Sequence, residues 1–170
     1  KTPHCKKLTG AFSSYIEFIF NGLNILDRIS VLKEKEVLSK DVSDKIHAFI
    51  LDSAEKLDFT QAALSHSDLN NEHIFFNGES YSGLIDFGDA CAMSTYHDLA
   101  KYFLNEPEDY RALLQGYLEI NPLPAGYEDV IALEATIVAV KTLFWKATQA
   151  PHLLNSNLHY FDFLQKKFSG

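Results

Sequence analysis

The 170-residue chain lacks features that would place it in several broad classes of protein. Its two cysteines, Cys5 and Cys91, are too few for a disulfide framework and do not have the spacing of a metal site. No apolar run approaches the roughly 18 residues of a membrane-spanning helix, so we expect no membrane partner. No stretch resembles a secretory signal, and we therefore expect a cytoplasmic protein with buried thiols.

Positive charge is also scarce. The chain has 15 lysines and arginines against 23 acidic residues, a formal net charge of −8. Nucleic-acid binding requires a basic surface, so we expect no nucleic-acid partner. The negative charge would suit a cationic substrate. With 46% hydrophobic residues, the chain is long enough for one domain with its own core.

The most informative pattern lies in residues 62–91. Three short apolar runs occupy residues 62–65, 74–76 and 84–85. Asn77 and Gly78 lie between the second and third runs, and Asn-Gly is a strong signal for a β-hairpin turn. The pattern predicts a strand, then a loop, then a β-hairpin whose outgoing strand ends at residue 86.

Residues with catalytic potential surround this predicted hairpin. His73 enters it, Asp86 leaves it, and the preceding loop contains His66 and Asp68. The two arms of a hairpin lie side by side, so we expect His73, Asp86 and Asp68 to converge at one end. Gly88 permits a tight turn beside them. The sequence therefore predicts a site made of two carboxylates and an imidazole.

The pattern His66-x-Asp68-x-x-x-x-His73, followed by Ile85-Asp86-Phe87-Gly88-Asp89, resembles the catalytic loop and metal-binding turn of the aminoglycoside phosphotransferase-like kinases. The resemblance implies that Asp68 is the catalytic base and that His66 braces its loop. It implies that Asp86 holds Mg²⁺ against the phosphates of ATP or GTP.

Other positions extend the resemblance or depart from it. Phe75 would lie under the adenine, and Ile85 would line the same pocket. His73 stands where the family usually has a metal-binding Asn, although it resembles the macrolide-phosphotransferase branch. Mg²⁺ prefers oxygen ligands, so His73 is either a metal ligand or a packed, hydrogen-bonded histidine.

The resemblance implies an α+β fold, mainly helical, like the C-terminal lobe of a protein kinase, with a small β-hairpin carrying the catalytic loop and the Asp-Phe-Gly turn. A Gly-rich phosphate loop, and a strand Lys with a helix Glu partner, cannot be placed before residue 62. In this family those features belong to an N-terminal lobe. We therefore expect residues 1–170 to form the C-terminal lobe of a longer kinase, inactive without its N-terminal lobe.

Helical periodicity predicts six helices around the central stretch. The first begins after Ser13 or Ser14 and runs through Leu26, and the longest spans residues 128–149. The remaining helices begin near Asp41 or Ser43, near Ser94 or Thr95, at Pro107 and at Asn157. Asp98 either braces the catalytic loop, as an Asp of the family does, or only favours the N-terminal dipole of its helix.

The resemblance implies transfer of the γ-phosphoryl group to a hydroxyl of a small molecule, an aminoglycoside or macrolide antibiotic. Two other functions remain open. The chain is a non-catalytic pseudokinase used for binding, or it is a metal-dependent phosphohydrolase that uses His97 and Asp98.

Overall fold

The computed structural model describes residues 12–57 and 63–169 of the chain. In these two ranges the structure is mainly helical, and its four short strands form two separate antiparallel pairs. The mainly helical α+β architecture predicted from the sequence is therefore confirmed. Cys5 and the approach to the first predicted strand, residues 58–62, lie outside the described residues.

The first predicted helix is divided into two. Ser14 caps helix α1, Tyr15–Glu17, by accepting a 3.0 Å hydrogen bond from the Glu17 N–H, and a π-helical turn over Phe18–Gly22 follows. Asn24 then adopts a left-handed backbone, with φ of 49°, immediately before helix α2, Ile25–Glu34. A left-handed residue interrupts a right-handed helix, so the prediction of one continuous helix is wrong.

Helix α3, Lys40–Ser53, begins earlier than predicted. Its N-cap is Ser39, whose hydroxyl accepts a 3.3 Å hydrogen bond from the Val42 N–H. The predicted caps, Asp41 and Ser43, therefore lie inside the helix. Serine is a favoured N-cap because its side chain satisfies a backbone N–H that has no partner within the helix.

The central stretch forms the predicted hairpin and a second strand pair that the sequence did not indicate. Strands β2, Ile74–Asn77, and β3, Ser80–Leu84, make the hairpin, and Gly78 in its turn has φ of 62°. The outgoing strand thus ends at Leu84, before its predicted end. Strand β1, Ala63–Ser65, pairs with β4, Cys91–Met93. Because β1 and β4 lie side by side, the two ends of the segment between them, residues 66–90, are close together.

Four further helices follow: α4, His97–Asn105; α5, Tyr110–Ile120; α6, Tyr127–Gln149; and α7, Leu158–Phe168. Helix α6 agrees closely with its predicted bounds. Helices α4 and α5 begin later than predicted, because turns over 95–96 and 107–109 precede them. No helix in the described part of the chain has the length and apolar content needed to cross a membrane.

Helix α6 is the centre of the core. Nearly every side chain from 131 to 140 is buried, as in a helix surrounded by protein on all sides, and α6 packs against α2, α4 and α7. One buried side chain in this stretch is charged. Glu134 accepts hydrogen bonds from the hydroxyls of Tyr15 and Ser94, and its Oε1 lies 3.7 Å from His97 Nδ1. These contacts connect α1 and α4 to α6.

The position of α6 predicts a stability effect. Leu143 is 1% exposed, and Leu143→Ala should lower the free energy of unfolding by about 2–5 kcal/mol, because the removed side chain leaves a cavity in the core. Ile120 is 80% exposed on α5, and Ile120→Ala should change it by at most about 0.5 kcal/mol. Urea unfolding followed by circular dichroism measures both. Similar losses in the two variants would contradict the assignment of α6 to the core.

Candidate active site

The loop after β1 is held by one carboxylate from α4. The backbone N–H of His66 donates to Asp98 Oδ2 at 2.7 Å, and the N–H of Ser67 donates to Asp98 Oδ1 at 2.8 Å. Ser67 has φ of 66°, a conformation that is unfavourable for a residue with a side chain and needs support from its surroundings. Of the two roles considered for Asp98, the structure shows the brace; Asp98 also lies in the first turn of α4.

His66 connects this loop to the turn that follows the hairpin. Its buried ring donates from Nε2 to the carbonyl oxygen of Ile85 at 2.7 Å, and its Nδ1 accepts from the Asp68 N–H at 3.3 Å. A carbonyl only accepts and an N–H only donates, so these bonds assign the Nε2–H tautomer. The ring also packs edge-on against Phe87, with centroids 4.8 Å apart. These are the contacts of a bracing residue.

Asp68 lies where the loop meets a cleft. Its side chain is 40% exposed, with Oδ1 3.5 Å from Lys101 Nζ and Oδ2 4.0 Å from His73 Nδ1. Lys101 was not among the site residues predicted from the sequence. Its distance of three residues from Asp98 could have indicated it, because residues three apart lie on the same face of a helix and Asp98 lies on the face of α4 that contacts the loop.

His73 is oriented by the backbone of the loop. Its Nδ1 lies 2.9 Å from the carbonyl oxygen of Asp68. A carbonyl can only accept a hydrogen bond, so Nδ1 is the donor and carries a proton. The other ring nitrogen, Nε2, lies 3.7 Å from Asp86 Oδ2. A histidine whose Nδ1–H is held by a carbonyl presents Nε2 for a metal or a second proton.

Asp86 is presented to solvent by a tight turn. Its backbone is left-handed, with φ of 61°, and its side chain is 63% exposed. A Cβ atom added to Gly88 would lie 3.3 Å from Asp86 Oδ1, closer than an ordinary contact. The predicted convergence of Asp68, His73 and Asp86 is therefore confirmed as geometry, whereas their catalytic and metal-binding roles stay predictions.

The donors near Asp86 fit a Mg²⁺ ion that also binds a nucleotide. Within residues 12–57 and 63–169, no group of three His, Cys, Asp or Glu side chains has the geometry of a metal site. Mg²⁺ beside a nucleotide needs only one or two carboxylates, since phosphates and waters complete its shell. Asp86 would supply the oxygen that Mg²⁺ prefers, and His73 Nε2 would supply a softer second donor.

The two residues expected near adenine lie on the exposed side of the hairpin. Phe75 and Ile85 are each 48% exposed. Phe75 is opposite Gly83 in the strand register, and the N–H of Ile85 donates to the carbonyl of His73 at 3.0 Å. They present apolar surface close to the end of the hairpin that carries His73 and Asp86, and their contact with a nucleotide stays a prediction.

A cleft of about 850 Å³ is lined by Asp68 but not by His73 or Asp86. Helices α2, α4, α6 and α7 and the loop after β1 contribute to its lining. Cys91 also lines it and is exposed, with Sγ 3.2 Å from Ser67 Oγ, so the expectation of a buried thiol is wrong. Strand β4 belongs to a sheet of two strands, which need not be covered on both faces.

Acidic residues near the cleft hold the loop in place. The backbone N–H of Asn71 donates to Glu106 Oε1 at 3.0 Å. Its side-chain amide donates to Glu106 Oε2 at 3.1 Å and to Asp109 Oδ2 at 2.7 Å. Asn70 accepts from the Glu72 N–H at 2.9 Å and donates to the carbonyl of Asp68 at 3.2 Å. Both asparagines therefore shape the loop.

The structure separates the two side chains that suggested a phosphohydrolase. Asp98 binds the backbone of the loop after β1, whereas His97 is buried 3.7 Å from Glu134. Within the described residues the two side chains share no site, and no cluster of three His, Cys, Asp or Glu side chains there could hold the metal of such an enzyme. This arrangement does not favour a site built on the His97-Asp98 dipeptide.

Sequence similarity places the same region in a known family. The profile of the phosphotransferase enzyme family matches residues 30–130. A homoserine kinase of Brucella anthropi is 33% identical over 85 residues, and one of Rhodopseudomonas palustris is 36% identical over 87. These alignments cover 45% and 46% of this chain. The chain spans about a quarter of the length of these relatives, 26% and 27%.

The fold is also similar to that of a solved structure. A thermostable mutant of aminoglycoside phosphotransferase APH(4)-Ia, in its apo form, superposes with a TM-score of 0.61 at 16% identity. The match covers 95% of this chain and 55% of that one, and at this identity it concerns the fold. The family profile covers more than half of the chain, including the loop, the hairpin and the turn. The chain therefore belongs to the phosphotransferase enzyme family.

Proposed function

We propose that this chain is the catalytic, acceptor-binding lobe of a small-molecule kinase, which transfers the γ-phosphoryl group of ATP or GTP to a hydroxyl. One observation carries the proposal. Asp68, His73 and Asp86 converge at one end of the hairpin, and Asp68 also lines the adjacent cleft. A carboxylate between a metal-binding end and a cleft is the arrangement that phosphoryl transfer requires.

Asp68 acts on the acceptor in this proposal. Its carboxylate accepts a hydrogen bond from the acceptor hydroxyl and takes the proton. The hydroxyl oxygen bonds to the γ-phosphorus as the bond from that phosphorus to the leaving nucleoside diphosphate breaks. Lys101 lies against Oδ1, and the hydrogen bonds of Asp98 and His66 hold the loop on both sides. Phosphoryl transfer depends mainly on positioning and on neutralising charge, and this loop is positioned from several directions.

The other end of the hairpin holds the nucleotide. Asp86 would bind Mg²⁺, with His73 Nε2 as the second donor, and bound Mg²⁺ would neutralise phosphate charge. Phe75 and Ile85 would contact adenine. The rest of the nucleotide site belongs, in this proposal, to an N-terminal lobe of the same protein in the cytoplasm. The acceptor is open between the aminoglycoside or macrolide expected from the resemblance and an amino-acid alcohol such as the substrate that names the homoserine kinases.

Replacing Asp68 tests its role as the base. In the full-length protein that contains this chain, Asp68→Ala and Asp68→Asn should lower kcat by about 10²–10⁴-fold while nucleotide affinity stays unchanged. Transfer would be measured with Mg²⁺ and ATP or GTP against aminoglycoside, macrolide and hydroxy-amino-acid acceptors. Asp52 is exposed on α3 and makes a matched control, so Asp52→Asn should be neutral. Equal loss of transfer and nucleotide binding would contradict the assignment, and intact nucleotide binding without any transfer would favour a pseudokinase.

Gly88 tests the metal-binding turn. A Cβ at this position would press on the Asp86 carboxylate, so Gly88→Ala should raise the Mg²⁺ concentration needed for half-maximal activity about tenfold. Gly116 is the matched control: it lies in helix α5 with open space around an added Cβ. Gly116→Ala should leave the Mg²⁺ dependence unchanged and stabilise the protein by roughly 0.5–1 kcal/mol. An unchanged Mg²⁺ dependence in Gly88→Ala would argue against Asp86 as the metal ligand.

A further inference from the structure

Three cationic side chains from separate helices line the same cleft as Asp68. Arg28 comes from α2, Lys101 from α4 and Lys141 from α6. Lys101 lies 3.5 Å from Asp68 Oδ1. The packing of α2 and α4 on α6 brings these residues together, although they are far apart in the sequence. A fourth cation, Lys146, and four acidic side chains line the cleft as well: Asp68, Glu72, Asp89 and Glu106.

Two of these cations lack a carboxylate partner. Across residues 12–57 and 63–169, the side chains of Arg28 and Lys141 make neither a hydrogen bond nor an ion pair. The Arg28 guanidinium lies over the ring of Phe144, 4.9 Å from its centroid. Burial lowers the pKa of Lys141 most, and the charges of Lys101 and Arg28 lower it further, whereas Cys91 and Glu134 act in the opposite direction. Burial also lowers the pKa of Arg28.

An unpaired cation that is partly withdrawn from water is unfavourable. In the described part of the chain, none of the acids that line the cleft forms an ion pair with Arg28 or Lys141. Asp68 lies against Lys101, Glu106 is bound to Asn71, and Glu72 and Asp89 are exposed to solvent. A negatively charged group of a ligand would supply the missing charge.

We propose that the acceptor carries an anionic group, a carboxylate or a phosphate, that binds between Arg28 and Lys141 while its hydroxyl faces Asp68. The inference rests on the proposed phosphotransferase function and names the class of its substrate. The cleft includes Asp68 but not His73 or Asp86, so the cations lie on the acceptor side rather than beside the nucleotide phosphates. A cleft of about 850 Å³ suits a small molecule.

Binding in this cleft can be measured without catalysis. Trp145 is the only tryptophan of the chain and lines the cleft, so its fluorescence reports ligand entry. The probes are two matched pairs: 4-hydroxybutyrate with its neutral amide, and glycerol 3-phosphate with glycerol. We expect at least one anion to bind about tenfold or more tightly than its neutral partner, because hydrogen bonds to charged groups are stronger than neutral ones.

Variants of Lys141 assign the effect to this residue. Lys141→Gln should weaken binding of the preferred anion by about ten- to hundredfold and leave the neutral partner unchanged, whereas Lys141→Arg should keep most of the affinity. Lys166 is exposed on α7, and Lys166→Gln is the matched control with no expected effect. Circular dichroism of each variant checks the fold.

The outcomes separate this inference from the proposed function. Preference for 4-hydroxybutyrate or for glycerol 3-phosphate, lost in Lys141→Gln, supports it and identifies the anion as a carboxylate or a phosphate. Equal binding of charged and neutral probes overturns it, even if the full-length protein transfers phosphate. Weaker binding of MgATP in Lys141→Gln, with anion binding unchanged, overturns it by assigning the cations to the nucleotide. Loss of phosphoryl transfer in the full-length protein would instead count against the proposed function.

Discussion

The carboxylate of Asp98 is the contact on which the site depends. It binds two consecutive backbone N–H groups, those of His66 and Ser67, and so supports the left-handed backbone of Ser67. Asp68 follows directly in the chain, so these hydrogen bonds fix its position relative to helix α4. The same helix carries Lys101, which contacts the Asp68 carboxylate. The Asp98 side chain thus supports the unfavourable backbone conformation of Ser67 and fixes the candidate base, Asp68, relative to the helix that lines the cleft.

The two ends of the site are joined by side chains rather than by a continuous sheet. The pairs β1–β4 and β2–β3 are separate, and a sheet of two strands has little stability by itself. His66 bonds to Ile85 and to the N–H of Asp68, and His73 bonds to the carbonyl of Asp68. These bonds fix the loop against the turn at Asp86. The imidazoles of His66 and His73 therefore hold the two small sheets in position relative to each other, whatever further chemistry His73 performs.

Local features of the sequence were sufficient for part of this picture. A hairpin turn at Gly78 depends on neighbouring residues, and a long apolar helix such as α6 has its own periodicity, so both could be predicted. The break at Asn24 and the pairing of β1 with β4 could not. Asn24 adopts a left-handed backbone that the periodicity of the apolar residues does not reveal, and the β1–β4 pair joins segments separated by the whole hairpin. The exposure of Cys91 follows from that pairing and could not be predicted from the sequence either.

The formal net charge of the chain also says little about where individual charged side chains lie. The formal net charge of −8 would suit a cationic ligand, yet many acids are on solvated surfaces or hold the loop, as Glu106 and Asp109 hold Asn71. Arg28 and Lys141 are instead drawn into the cleft by the packing of α2 on α6. Charges in a partly dry cleft are screened less by salt than charges spread over the surface. We therefore base the proposed anionic acceptor on Arg28 and Lys141 and not on the net charge of the chain.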